Sequence, residues 1–357
     1  MEDKRESSAA PTSFTSVLKL SQMGAAASVP KRYVLPPSQR PNLGLCPNLA
    51  IVSPIIDLSS LHHPIHGLRI KEEVRLACKD SGFFQVINHG IPLSVMNNAL
   101  DAATDFFELP HEEKMSLASA NIREPVRYGT SLNHVEDRVL FWRDFIKHYS
   151  HPISTWIDQW PSNPKTYKEK MGNYTQAVHA LHRKLMGVVF ENLGLSPKYL
   201  HEGIDEGSQV MAVNCYPTCP EPDLVLGMPP HSDYGYMTII LQNHQGLEIM
   251  SHDKKWYQVP VRKGALVIQI GDQMEIISNG LCKSLVHRAT VNSDTDRISI
   301  ASLHSLALER KVGPAPLLVD DQHPLSYAEG SFSGFLDFIS NNDIMEVRYI
   351  DALKKNP

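Results

Sequence analysis

Residues 228–241 read MPPHSDYGYMTIIL, a Pro-Pro break followed by a run dominated by β-branched and aromatic side chains, the texture of a strand. Side chains at i and i+2 of a strand share a face, roughly 7 Å apart along it. The spacing therefore predicts that His231 and Asp233 grip one ion together. A third ligand, His287 in SLVHRATV, is expected from another strand. Two imidazoles and one carboxylate leave three positions of an octahedral ion open, which suits non-haem Fe(II) holding a bidentate organic acid and O2 at once. Zinc favours a closed or nearly closed tetrahedron.

Outward from this stretch, short strand-like segments recur. They are 210–216, 237–242, 247–250, 256–259, 265–270, 283–291 and 298–303, with a turn signal at Asn279-Gly280. Many short strands with ligands scattered over them suit a double-sheet jelly roll. Upstream the texture is helical. Ile70, Val74, Ala77 and Cys78 form one helix face that Gly82 stops; a second helix from about Ser94 carries Val95, Leu100, Ala103 and Phe106 and ends near Pro110. A longer stripe from Tyr167 to Val188, closed by Gly194 and Pro197, reads as core contact with the barrel. Between them GFFQVINHG (82–90) is a continuous apolar run that suits a buried strand, and its His89 reads as a hydrogen-bonded core histidine rather than a fourth ligand. The expected fold is mainly β with helical additions: a double-stranded β-helix (jelly roll) core over residues 201–357, with a carboxy-terminal helix, and an α-rich amino-terminal region over residues 1–200.

A formal charge of -5 over 357 residues, with no Lys/Arg run, argues against nucleic acid or anionic membrane as partner. No apolar stretch is long enough to span a bilayer. Five cysteines, Cys46, Cys78, Cys215, Cys219 and Cys282, show no disulfide-framework spacing and point to a reducing compartment. Cys215 and Cys219 read as packing residues. The Ser- and Ala-rich start, through about Ala27, is somewhat like a transit peptide, but Glu2, Asp3 and Glu6 speak against one. A cytosolic monomer is expected.

Set in order, HSD at 231–233, His287 at a separation of 54 (287 − 233 = 54) and RIS at 297–299, ten further on (297 − 287 = 10), resemble the plant Fe(II)/2-oxoglutarate-dependent dioxygenases. So do PIIDLS (54–59), GFFQVINHG, FFELPHEEKM (106–115) and NCYPTCPEPDL (214–224), and the likeness runs from about Val29 to Ile350. Arg297 and Ser299 share one strand face, as do Asn214 and Tyr216. The resemblance implies that Arg297, Ser299 and Tyr216 hold the distal carboxylate of 2-oxoglutarate, a match for the forked guanidinium, with Asn214 near its 2-oxo acid end. It also implies Fe(II) on His231, Asp233 and His287, O2 as co-substrate, ascorbate as activator, and oxidation of a hydrophobic small molecule by hydroxylation, desaturation or ring closure.

The expected substrate pocket comprises Tyr128, Phe141 and its neighbour Trp142, Tyr234, Tyr236, Leu303, and Phe332, Phe335 and Phe338 of the carboxy-terminal segment. Flavonoid-oxidising relatives commonly place Phe where this chain has Leu303. That departure, together with a whole-chain resemblance to the branch linked to gibberellin-type and other diterpenoid oxidation, favours a diterpenoid, with a flavonoid or phenolic as the alternative. A cupin-like metal isomerase or hydrolase would have no need of Arg297, Ser299 and Tyr216, and a catalytically dead binding protein would be expected to lose a ligand.

Overall fold

The computed structural model describes residues 14–22, 28–41, 54–132, 137–342, 345 and 347–355. Cys46 and most of the Ser- and Ala-rich start lie outside them. The strands, in chain order, are β1 (Ile55–Asp57), β2 (Phe83–Ile87), β3 (Val126–Thr130), β4 (Asp144–His151), β5 (Ser208–Tyr216), β6 (Met228–His231), β7 (Met237–Gln242), β8 (Leu247–Met250), β9 (Trp256–Gln258), β10 (Leu266–Ile270), β11 (His287–Ala289) and β12 (Arg297–Ser305). They form two sheets, β1-β2-β10-β7-β12-β5-β4-β3 and β6-β11-β8-β9. The double-sheet core is the expected one. Residues 1–200 supply four of the eight strands of the large sheet, so position 200 divides the chain but not the sheet.

Alternation along the strands gives the large sheet two unlike faces. On β12, Ile298 and Ile300 point to the helices while Arg297, Ser299, Ala301 and Leu303 line a cavity between the sheets. The helical face is closed by Tyr167–Asn192, which buries Tyr174, Val178, Leu181 and Leu185 against that sheet and against the helix Leu93–Glu108. Each such aliphatic burial contributes roughly 1.5–3 kcal/mol. Gly194, at φ +73, ends this helix, and Gly82, at φ +67, follows His66–Asp80, as the sequence predicts.

Three local expectations change. The stretch 228–241 is two strands, not one: β6 ends at His231, and Asp233 sits in the loop before β7. Pro229 and Pro230 are tolerated because β6 is an edge strand. Asn279-Gly280 is no hairpin turn but the left-handed end of the helix Asp272–Ile277. The strands β3 and β4 were not anticipated, because polar side chains occupy both faces of DFIKHYSH (144–151).

The helical face also buries imidazoles. His148 is bracketed by the Ser150 hydroxyl (2.9 Å) and the Tyr167 hydroxyl (3.1 Å), and burial pushes it down to about 3. Burial and neighbouring His151 push His179 down to about 4, while His182 and His304 are held well below the ordinary range by burial and by the other imidazoles of the cluster. The unfolded chain takes up protons on these groups below about pH 6.5, where the folded chain refuses them. Stability present above that pH must therefore fall as pH drops toward 4. Urea unfolding at pH 7, 6 and 5 should show this decline, and His148→Gln should flatten it by up to about 1.4 kcal/mol per pH unit; an unchanged slope would place the acid sensitivity elsewhere.

Candidate active site

The loop 232–236 is locked in place by backbone bonds. The helix Asp272–Ile277 leaves its first N–H groups without intrahelical partners, and they find the loop instead. Asp272 N–H donates to the Asp233 carbonyl (2.8 Å), and Gln273 N–H to those of Tyr234 (2.9 Å) and Gly235 (3.0 Å). Tyr236 N–H donates to His304 of β12 (2.9 Å). The fit admits no side chain at two points: a Cβ on Gly235 would lie 2.1 Å from the His304 carbonyl, and one on Gly271 would lie 2.2 Å from the Gly235 carbonyl.

This loop brings Asp233 to two imidazoles. Its Oδ1 lies 3.6 Å from His231 Nε2 and 3.8 Å from His287 Nε2. β6 and β11 are paired with His287 opposite His231, and the two rings are 4.2 Å apart at 52°. His231 Nδ1–H donates to the Pro229 carbonyl (2.8 Å) and His287 Nδ1–H to that of Leu285 (3.3 Å). Each ring thereby turns an unprotonated Nε2 toward the carboxylate, the tautomer a metal requires. Burial, reinforced by His287, holds His231 neutral, down to about 3. His89 is elsewhere, with Nε2 donating to the Gly264 carbonyl at 3.2 Å.

His179, His182 and His304 also gather nitrogen atoms within 4.8 Å of one another. There His182 and His304 are stacked 3.9 Å apart and only 7° from parallel. A ligating imidazole holds its metal in the ring plane, so two parallel rings cannot share an ion in this arrangement.

Beyond the triad, register places Arg297 opposite Tyr216 and Ser299 opposite Asn214. Arg297 is buried, with Nε on the His244 carbonyl (3.2 Å), one Nη on Gln242 (2.8 Å) and its guanidinium 4.7 Å over the Tyr216 ring. Its second Nη is buried without a partner. Asn214 bonds Ser299 (3.4 Å) and receives Arg143 (3.1 Å). Arg143, which directly precedes β4, and Gln242, at the end of β7, carry no spacing signal in the sequence.

The cavity holds about 700 Å³. Of the expected pocket residues, Tyr234, Leu303, Phe332 and Phe335 line it. Tyr128, Phe141 and Tyr236 do not. Tyr128 alternates with Arg127 and Gly129 on β3 and so faces the helices, near Phe14 and Phe106. Phe141 packs with Leu35 and Leu226, and Trp142 against Tyr33. Tyr236 stacks on His182, and Phe338 packs on Tyr349.

Comparison with known proteins agrees with this geometry. Residues 207–305 match the 2OG-Fe(II) oxygenase superfamily and residues 53–163 the amino-terminal region of non-haem dioxygenases in morphine synthesis. The chain is 43% identical to 2-oxoglutarate-dependent dioxygenase 21, chloroplastic, of Oryza sativa subsp. japonica, over 90% of this chain and 93% of the relative. It is 42% identical to flavanone 3-dioxygenase 3 of the same rice, over 84% and 93%. The crystal structure of JOX2 in complex with 2OG, Fe and JA superposes with a TM-score of 0.85 at 32% identity, covering 96% of this chain and 98% of that one.

The interlocked glycines give a direct test. Gly271→Ala must push the loop that carries Asp233, an overpacking that costs ~1–3 kcal/mol. Urea unfolding should show that loss, and Fe(II) titration should show weaker binding; a variant unchanged in both would mean that the loop relaxes freely.

Proposed function

The chain belongs to the plant 2-oxoglutarate/Fe(II) dioxygenases and is an oxidoreductase of that class, and from that premise we propose that it oxidises a planar aromatic metabolite. His231, Asp233 and His287 hold Fe(II), while Arg297, Ser299, Tyr216 and Asn214 hold 2-oxoglutarate. The residues fit both groups. Two neutral imidazoles and a carboxylate converge, and the unpartnered Nη of Arg297 is a buried donor awaiting an anion. When bound, iron, 2-oxoglutarate and O2 supply oxidative decarboxylation to succinate and CO2, coupled to oxidation of a substrate C–H bond.

The chain's own part is placement and exclusion of water. Arg297, fixed by His244 and Gln242, presents a preset donor to the distal carboxylate. The Pro229 and Leu285 carbonyls hold both imidazoles in the ligating tautomer. The carboxy-terminal helix Phe332–Asn341 covers the cavity, tied down by Arg123 to Asp337 (2.5 Å). Ascorbate is the expected activator by family analogy.

The observation that carries the substrate class is a wall of parallel rings. Tyr234 lies 4.8 Å from Phe335 at 12° and 5.7 Å from Phe332 at 11°. Such a face suits an offset-stacked aromatic ligand. The diterpenoid expectation rests on Leu303 removing an aromatic platform and on a whole-chain likeness to the branch linked to gibberellin-type and other diterpenoid oxidation. Leu303 does line the cavity, but the platform comes from Tyr234 and the carboxy-terminal helix. Relatives of this chain include two rice flavanone 3-dioxygenases and a jasmonate-induced oxygenase of Arabidopsis thaliana, names that favour an aromatic or oxylipin-type metabolite over a diterpenoid. For compartment, the acidic residues near the start favour the cytosol; "chloroplastic" describes the rice relative. Among the described residues no helix is long and apolar enough to cross a membrane.

Arg297→Lys should raise the 2-oxoglutarate KM at least tenfold, since a point-like ammonium cannot copy the fork and a charge-assisted hydrogen bond is worth roughly 1.5–3 kcal/mol; an unchanged KM would move the anchor elsewhere. His287→Ala should lose iron while remaining folded. In a turnover panel of flavanones, phenolics and labdane- or kaurane-type diterpenoids, succinate release should follow the planar aromatics. Efficient diterpenoid turnover with none of the aromatics would sink the substrate reading and leave the oxygenase class intact.

A further inference from the structure

The cavity floor is ruled by register. One rung across the large sheet carries Phe145, Asn214, Ser299 and Gln242 and belongs to the 2-oxoglutarate end. The next rung, roughly 7 Å further along the strands, carries Arg127, Lys147, Ala212 and Ala301. Arg127 and Lys147 stand directly opposite each other on β3 and β4, and both line the cavity. Like charges so placed destabilise a sheet. Buried charge is ordinarily paired.

Here it is hydrogen-bonded and only partly offset, Asp137 attracting Arg127 and Glu124 attracting Lys147 from outside ion-pair distance. Arg127 is 3% exposed, with Nε on the Ser119 carbonyl (2.9 Å) and an Nη on that of Leu132 (3.1 Å). Lys147 Nζ donates to the Ile122 carbonyl (2.5 Å). Among the described residues neither forms an ion pair with a carboxylate. Asp137, also in the cavity wall, receives the Ser131 hydroxyl (2.7 Å) and the Leu132 N–H (3.2 Å). Aromatic faces stabilise both cations, Phe145 at 5.1 Å from Arg127 and Tyr149 at 5.6 Å from Lys147. Even so, burial and neighbouring Arg127 push Lys147 down to about 7, and burial and neighbouring Arg143 push Arg127 down to about 10. Beside the pair, Ala212 and Ala301 leave the floor open.

We infer that Arg127 and Lys147 are the docking site for a carboxylate on the organic substrate, which is therefore an aromatic carboxylic acid. Its acid group lies between the two cations and its ring lies along the wall of Tyr234, Phe335 and Phe332. An anion there converts a repelling pair into two charge-assisted contacts. The occupant is not 2-oxoglutarate, whose proposed anchor Arg297 lies on another rung with its own unpartnered donor. The inference rests on the dioxygenase reading above and adds the chemical class of the substrate.

The test uses the anaerobic Fe(II)-2-oxoglutarate enzyme, titrated calorimetrically with 2-naphthoate and 4-hydroxycinnamate and with their primary amides. At least one acid should bind tenfold or more tighter than its amide. Arg127→Gln and Lys147→Met should each cut that preference below threefold, with iron content and 2-oxoglutarate affinity unchanged, and Lys147→Arg should restore it. If the methionine variant does not fold, the wild-type enzyme supplies the same discrimination: added KCl should weaken binding of the acid and leave the amide untouched. Equal affinity for acid and amide, failure of both acids to bind, or a preference that survives in Arg127→Gln/Lys147→Met overturns the docking site. Succinate release with a neutral flavanone, alongside any of those outcomes, leaves the oxygenase reading standing; its absence with every substrate removes that reading as well.

Discussion

Everything at the cavity depends on the two-residue repeat of strands β4, β5 and β12. Because neighbouring residues face opposite ways, the first four residues of β12 give isoleucines to the helices and Arg297 and Ser299 to the cavity at once. Ile298 and Ile300 anchor the strand in the helical core, and that anchorage fixes where Arg297 and Ser299 stand. A one-residue slip would bury the guanidinium under Tyr167–Asn192 and expose isoleucine to the cavity. The register is held by nine pairs to β5 and six to β7, so the rungs are set by backbone ladders rather than by the ligands they serve.

The triad obeys a different constraint. Two of its members ride on paired strands, but Asp233 does not, and a loop alone would place it poorly. Amide groups at the start of Asp272–Ile277 supply the missing rigidity by donating to three consecutive loop carbonyls. Donors that a helix must satisfy anyway thus hold a carboxylate beside two imidazoles. The close packing of Gly235 and Gly271 follows from the same demand, because a side chain at Gly271 would separate loop from helix and one at Gly235 would separate loop from β12.

What was legible in the sequence divides along these lines. That Arg297 and Ser299, and Asn214 and Tyr216, each share a strand face could be read from spacing, while their role was implied by the family resemblance; the structure brings the two pairs into one register. His231 and Asp233 converge as expected, although through a strand end and a loop rather than one strand face. Aromatic residues were legible as apolar but not as facing the cavity: Tyr128 differs from Arg127 by one position and points the opposite way. Strands β3 and β4 were hidden because burial on both faces mixes polar and apolar side chains, His148 and Ser150 on one side and Phe145 and Lys147 on the other. Long-range stacking of Tyr234 on the carboxy-terminal helix leaves no mark in either segment alone.

The hidden strands matter most for specificity. The proposed 2-oxoglutarate end takes its anchoring side chains from β5 and β12, with Gln242 of β7 behind Arg297, whereas the far end of the cavity is built by β3 and β4 from the amino-terminal half. A family chemistry and a particular substrate therefore draw on different parts of one sheet. Arg127 and Lys147 sit where Coulomb repulsion and burial both oppose them, and their hydrogen bonds to the Ser119, Leu132 and Ile122 carbonyls bring no opposite charge. A costly like-charged pair in a cavity wall is explained by what enters the cavity. An anion of the substrate offsets the repulsion that the empty site carries, and the stacked rings opposite then fix the plane in which the substrate body faces the iron.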